Sequence, residues 1–337
     1  MGSNTTKKRV ITFGEIMLRL STPGFSRFVQ ADNFDATYGG SEANVAVSLV
    51  QFGVEAAHVT RFPKNDLGEA AVQSLRRHGL DTSHIAFGDE RMGIYFLENG
   101  AMQRSSRIIY DRFDSAFAHI RPGMIDWKAV LKDADWFHWT GITPAISQGA
   151  ADVCLEALEE ASRLGISVSG DINYRRNLWQ YGKGAIDVMP ALIKHTHYII
   201  AGIADLENCL GIGGADYKTA CAKAMAAHSN IRKITSTNRE SVSSSHNRIS
   251  AQLWDGKQEV TSSTYDLTHI VDRVGTGDAY MAGLIYGWIQ GKSDADTLEF
   301  ATAACAWKHS IWGDSTLATV QEIEQLQRGE NVGKLLR

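Results

Sequence analysis

The chain has 337 residues, and 34 Lys and Arg stand against 38 Asp and Glu, a net charge of −4. That near balance gives no basic surface for nucleic acid or an anionic membrane, and no run is apolar for the length of a membrane span. Hydrophobic content of 44% with 21% charged residues is that of a folded globular chain. The polar start, MGSNTTKKR, lacks the apolar centre of a secretory signal. The cysteines at 154, 209, 221 and 305 form no C-x-x-C pair. Both features point to a reducing, cytoplasmic location.

In chain order, Val10–Phe13 reads as a buried strand ending at Gly14, and Ala43–Phe52 as a helix stopped by Gly53. Ala56–Val59 is the next strand and Asp66–His78 the next helix. This alternation predicts a parallel sheet with crossover helices. The middle changes character. Gly93–Leu97 and Ser106–Tyr110 read as a hairpin joined by the turn-rich Glu98-Asn-Gly-Ala. With the aromatic and turn-rich stretch Leu18–Thr37 they predict a small antiparallel sheet attached to the main domain. Alternation resumes with strands at Trp136–Thr140, Ile166–Gly170, Tyr198–Ala201 and Lys233–Ser236. The helices between and after them are Gly149–Leu164, Gly184–Lys194 and Asp216–Ala227. Two apolar helices, Gly275–Gln290 and Thr297–Ser310, close the pattern. No fixed-period repeat or long linker interrupts it, so one α/β domain spanning 1–337 is expected, with insertions at about 17–37 and 91–117.

The chemistry concentrates in Val271-Asp-Arg-Val-Gly-Thr-Gly-Asp-Ala-Tyr-Met-Ala-Gly. Gly275 and Gly277 flank Thr276 immediately before an apolar helix, where unpaired amides and the helix dipole favour an anion such as a transferring phosphoryl group. Asp278, in the first turn, is placed to take a proton from an acceptor hydroxyl. Gly283 and Gly287 lie on one face of that helix and predict close packing on a neighbour.

The sequence resembles the ribokinase-like (PfkB) carbohydrate kinases over about residues 9–325. The resemblance rests on Tyr38-Gly-Gly-Ser-Glu-Ala-Asn-Val-Ala, Asp66-Leu-Gly68, Asp171-Ile-Asn-Tyr-Arg-Arg and Asp272-Arg-Val-Gly-Thr-Gly-Asp278. It implies a three-layer α/β/α domain with a parallel-rich central sheet and a small β lid that pairs subunits into a homodimer. It also implies ATP and Mg²⁺, with a monovalent cation such as K⁺ in many members. By the same resemblance Gly39, Gly40 and Asn44 line the sugar site and Asp278 is the base. The amides of Gly275, Thr276 and Gly277 form the anion hole, and Asp272 and the loop at Gly313 match the monovalent-cation place. Thr237 and Arg239 fall on the nucleotide side.

Within the family the wording is nearest to 2-keto-3-deoxygluconate kinases, in Gly14-Glu-Ile-Met-Leu-Arg-Leu, Gly141-Ile-Thr-Pro-Ala-Ile-Ser and Ser245-His-Asn. Arg19 stands where ribokinases carry a sugar-binding Asp, and a cation there suits an acidic substrate. Arg112 and Arg175 match substrate positions of the sugar-acid kinases, and an Arg fork fits a carboxylate. Tyr95 and Tyr110 alternate with apolar residues on the hairpin and so are expected to face the cleft. The alternatives are a kinase of a neutral sugar such as fructose or ribose, or a sugar-binding relative with weak catalysis. The last draws on a departure from the family. Where relatives carry Asn-x-x-Glu for Mg²⁺ and phosphate, this chain has Gly202 and Asp205, with Glu207 a nearby substitute. Gly291-Lys-Ser293 fails the P-loop pattern, because Tyr286 replaces the required glycine. His195 and His197 have no third metal ligand nearby and are expected to be structural.

Overall fold

The computed structural model describes residues 8–330, so the polar stretch at residues 1–7 lies outside the described residues. The central sheet runs from edge to edge through Glu259–Thr261, Asn247–Trp254, Lys233–Ser241, Tyr198–Ile200, Ser167–Asp171, Trp136–Thr140, Arg9–Phe13 and Glu55–Val59. The six strands from Lys233–Ser241 to Glu55–Val59 pair in parallel. Asn247–Trp254, Glu259–Thr261 and Tyr265–Leu267 add an antiparallel edge.

Side-chain alternation along these strands feeds two separate cores, which makes the arrangement three-layered. Ile11, Phe13 and Phe137 point to the side covered by Gln148–Leu164, Ala185–Ile193 and Tyr217–Ala227. Val10 and Trp136 point to the other side, under Ser41–Gln51, Thr276–Ile289 and Asp294–Lys308. The last two helices approach closely at the expected glycines. A Cβ on Gly283 would lie 2.6 Å from the Ala301 backbone, and one on Gly287 2.6 Å from the Thr297 side chain. The first turn of Thr276–Ile289 is thereby held against a fixed neighbour.

A four-stranded sheet stands off the main domain in the order Asp35–Gly39, Met17–Ser21, Ile94–Glu98, Arg107–Asp111. It differs from the expectation in one respect: Met17–Ser21 and Ile94–Glu98 pair in parallel. These two strands come from separate insertions that leave the main sheet in the same direction, so their meeting edge is parallel while each insertion's own pair stays antiparallel. The antiparallel edge at 247–267 was not legible from pattern. In Asn247–Trp254 the inward positions begin with a buried asparagine, a polar residue that breaks the apolar alternation. The short helix Ile203–Leu210 also went unread, because Gly202 at its start reads as a loop residue.

Candidate active site

The two sheets and the ends of the parallel strands enclose a cleft of about 500 Å³. Its floor is the start of the helix Thr276–Ile289. Gly275 is the N-cap with φ 79°, and the first helical bond runs from the Ala279 amide to the Gly275 carbonyl at 2.9 Å. The amides of Thr276, Gly277 and Asp278 therefore precede the helical ladder, as an anion site requires. Asp278 faces the facing helix Ser41–Gln51. Its Oδ1 accepts from the Ser41 hydroxyl at 2.5 Å and its Oδ2 from Asn44 Nδ2 at 2.7 Å. Burial pushes its pKa up to about 6 against the lowering effect of those two hydrogen bonds. The carboxylate is thus fixed in direction and more basic than an ordinary Asp.

Gly39, Gly40, Asn44, Tyr95, Tyr110, Arg112, Arg175, Arg239, Asp272 and the 275–278 segment all line this cleft. Tyr95 and Tyr110 are register partners on one face of the lid, with ring centroids 5.9 Å apart. Thr237, two residues before Arg239 on the same strand, is exposed and outside the lining. The two substrate-position arginines differ in state. Arg112 is buried, and its Nε and Nη2 donate to Glu15 Oε2 at 2.8 and 2.5 Å. Ser115 completes the Glu15 carboxylate from the other side. Arg175 is exposed and makes no salt bridge among the described residues, although Asp171 lies close enough to feel its charge.

Arg19 requires a correction. It does not line the cleft; its side chain is fully buried and its guanidinium is bonded to Ser21 Oγ, Asp314 Oδ1 and Asp272 Oδ2. Three of its five N–H groups are spent on those partners, and burial keeps the other two away from a substrate carboxylate. Asp272, matched by resemblance to a monovalent cation, spends its oxygens on Arg19 and on the amides of Val274 and Gly313. That set does not fit K⁺, because a guanidinium already neutralises it. The hydroxyl of Tyr95 is likewise committed, donating to Asp314 at 2.5 Å, while its ring faces the cleft.

The expected Mg²⁺ residues also fall differently. Glu207 is exposed on the helix Ile203–Leu210 and Asp205 caps its start, accepting from the amides of Gly202 and Tyr174 at 2.8 and 3.2 Å. Neither lines the cleft. Asp171, at the end of its strand, does line it. Burial, with Asp205 and Asp278 nearby, pushes its pKa up to about 8, and its closest side-chain donor is Asn173 Nδ2 at 3.5 Å. Four acidic residues here, Glu15, Glu42, Asp171 and Asp314, were not singled out from sequence. Glu15, Glu42 and Asp171 sit inside the quoted motifs, so motif position was the available signal. Nothing local marks Asp314, whose partners are all brought to it by the fold.

A helix-capped anion site, a fixed carboxylate and a carboxylate-lined cleft on a three-layer α/β scaffold define a phosphotransferase class of site. The chain belongs to the pfkB family carbohydrate kinases, whose model matches residues 7–315. It is 30% identical to a 2-dehydro-3-deoxygalactonokinase of Haloferax volcanii, over 96% of this chain and 98% of that protein. It is 25% identical to a 2-dehydro-3-deoxygluconokinase of Thermoproteus tenax, over 94% and 93%. The crystal structure of a 2-dehydro-3-deoxygluconokinase from Thermotoga maritima superposes with a TM-score of 0.90 at 42% identity, covering 96% of this chain and all of that one.

Proposed function

We propose that this kinase transfers the γ-phosphoryl group of ATP to the terminal hydroxyl of 2-keto-3-deoxygluconate, giving the 6-phosphate. The observation that carries the reading is the Asp278 carboxylate, fixed by Ser41 and Asn44 beside the anion site, in a cleft that also presents Arg175. Asp278 orients the hydroxyl and accepts its proton, while the first-turn amides take the charge that develops on the phosphoryl oxygens. Arg175 holds the substrate carboxylate, with Arg112 as a second, Glu15-oriented contact. The relatives' names support this substrate class.

Among the described residues no group of three or more His, Cys, Asp or Glu side chains is set to hold a metal alone. Mg²⁺ needs only one or two carboxylates beside nucleotide phosphates and water. Asp171 fits that demand best, since a nearby dication relieves the repulsion it shares with Asp205 and Asp278. When bound, the metal would neutralise phosphate charge.

No helix among the described residues is long and apolar enough to cross a membrane. We place the enzyme in the cytoplasm, where its four buried, unpaired cysteines stay reduced. We treat the chain as one kinase domain with two lid insertions. The lid face away from the cleft carries Phe96, Ile109 and Phe34, the last two exposed. A second copy covering that face is the homodimer we propose, to be checked by the molar mass from light scattering.

The deciding assay is coupled ADP release with Mg²⁺-ATP against 2-keto-3-deoxygluconate, its C4 epimer, gluconate, fructose, ribose and a blank. Turnover restricted to the keto-deoxy acids is expected. Turnover only on neutral sugars would keep the kinase and remove the carboxylate role of Arg175. With an acid substrate, Arg175→Ala should raise its KM about 10- to 100-fold, the worth of a charged hydrogen bond, with KM for ATP changing little. Equal changes in both constants would refute that role.

The acid limb of kcat/KM should fall near pH 6, the value to which Asp278 is raised. Below it the carboxylate is protonated and accepts nothing. Ser41→Ala removes a hydrogen bond that favours the ionised form, so the limb should move to higher pH. A limb that stays in place would assign it to another group.

A further inference from the structure

The residues beneath the cleft floor form a charge arrangement that the catalytic reading does not use. Arg19 lies on the lid strand Met17–Ser21, with none of its side chain exposed. One arm meets Asp314 Oδ1 and the other Asp272 Oδ2, each at 2.6 Å. Burial alone would make Arg19 easier to deprotonate, but the two carboxylates more than reverse this and hold it charged. Both partners control the anion site. Asp272 accepts from the Val274 amide, directly before Gly275, and from the Gly313 amide, each at 3.0 Å. The Asp314 carbonyl presses on Gly275 so closely that a Cβ there would lie 1.6 Å from it. Asp314 Oδ2 takes the hydroxyl of Tyr95 from a second lid strand. Lys308 is buried nearby, donating to the Ile311 carbonyl at 2.9 Å and feeling Asp272, Asp314 and Asp278.

Two buried carboxylates need a cation, and breaking such a pair leaves an uncompensated charge. An exchangeable ion meets that need loosely. A guanidinium meets it with fixed arms, and its stem belongs to the lid. We infer that Arg19 is a positioning residue: a built-in cation that clamps the lid to the anion-site loop in the place of a monovalent metal ion, so that turnover is independent of K⁺. The inference deepens the kinase reading and rests on it.

Arg19 touches neither substrate, so its loss should act on the aim of the first-turn amides. Arg19→Ala is expected to lower kcat by about 10²- to 10³-fold, the scale of a lost anion-hole donor, while both KM values hold within about threefold. Asp272 and Asp314 line the cleft, so the space left by Arg19→Ala opens to solvent there. Millimolar guanidinium should therefore restore much of the lost kcat in Arg19→Ala and none in Asp278→Asn. A raised KM with kcat preserved would make Arg19 a substrate contact and overturn the inference, as would unaltered turnover. Should Arg19→Ala fail to fold, Arg19→Lys gives the same split, since one ammonium cannot span both carboxylates in fork geometry. Lower kcat at constant KM supports the clamp, and wild-type rates overturn it.

The cation half has its own readout. Thermal midpoint and turnover of the wild-type chain should be equal in K⁺, Na⁺ and tetramethylammonium chloride at matched ionic strength. A rise specific to K⁺ overturns the replacement. If the wild type releases no ADP on any sugar acid, the kinase reading fails. The midpoints, including that of Arg19→Ala with and without guanidinium, still decide whether Arg19 fills a cation site.

Discussion

Asp278→Asn should cost about 10²- to 10⁴-fold in kcat, the span of a general-base contribution, with ATP and sugar-acid binding largely kept. The geometry explains the asymmetry. Asn is the same size and can still receive the Ser41 hydroxyl, and turning the Asn44 amide so that its oxygen meets the new Nδ2 restores the second contact, so the cleft keeps its shape, but the amide cannot accept a proton. The loss should not come from unfolding. A carboxylate whose folded pKa is raised costs stability once pH climbs from its unfolded value through about 6, so at pH 8 the neutral amide relieves that cost. The thermal midpoint of Asp278→Asn is expected to equal or exceed that of the wild type. Near-normal turnover in this variant would remove Asp278 from the mechanism, and a collapsed midpoint would mean its role is structural.

Gly275→Ala should be as damaging to turnover and should also lower the midpoint. The residue sits at φ 79°, where a side chain is strained, and its Cβ would lie 1.6 Å from the Asp314 carbonyl. Either the anion-site loop or the 313–316 loop has to move, and the two are joined through Asp272 and Arg19. A kcat loss of at least about 10²-fold is expected from misaimed amides. Gly277→Ala is the contrast for stability. A Cβ there meets nothing within 4 Å, so its midpoint should stay near the wild-type value. Equal midpoint losses at both positions would argue that the glycines serve chain flexibility and that close approach is not the constraint.

Much of the architecture was written in local pattern. Short buried runs alternating with amphipathic stretches identify the parallel strands, because a sheet covered on both faces buries nearly every side chain of its strands. Trp136–Thr140 illustrates this, with all five residues buried. The antiparallel strand Asn247–Trp254 escaped because its burial alternates and its first inward residue is polar. The glycine signature before an apolar helix was similarly local, since an anion hole is made from consecutive amides and the freedom to turn them.

The sequence by itself determined the layered α/β class, the lid insertions and the segment that ends in Asp278, because each depends on neighbours a few residues apart. Only the tertiary structure decided what the charged side chains face. Arg19 read as a free cation for an acidic substrate, yet it is paired with Asp314, 295 residues away. Arg112 proved to be bound to Glu15 across 97 residues, and Asp278 to Asn44 across 234. A side chain's charge is local information, but whether that charge is spent on the protein or offered to a ligand depends on which distant carboxylate the fold brings within hydrogen-bond reach.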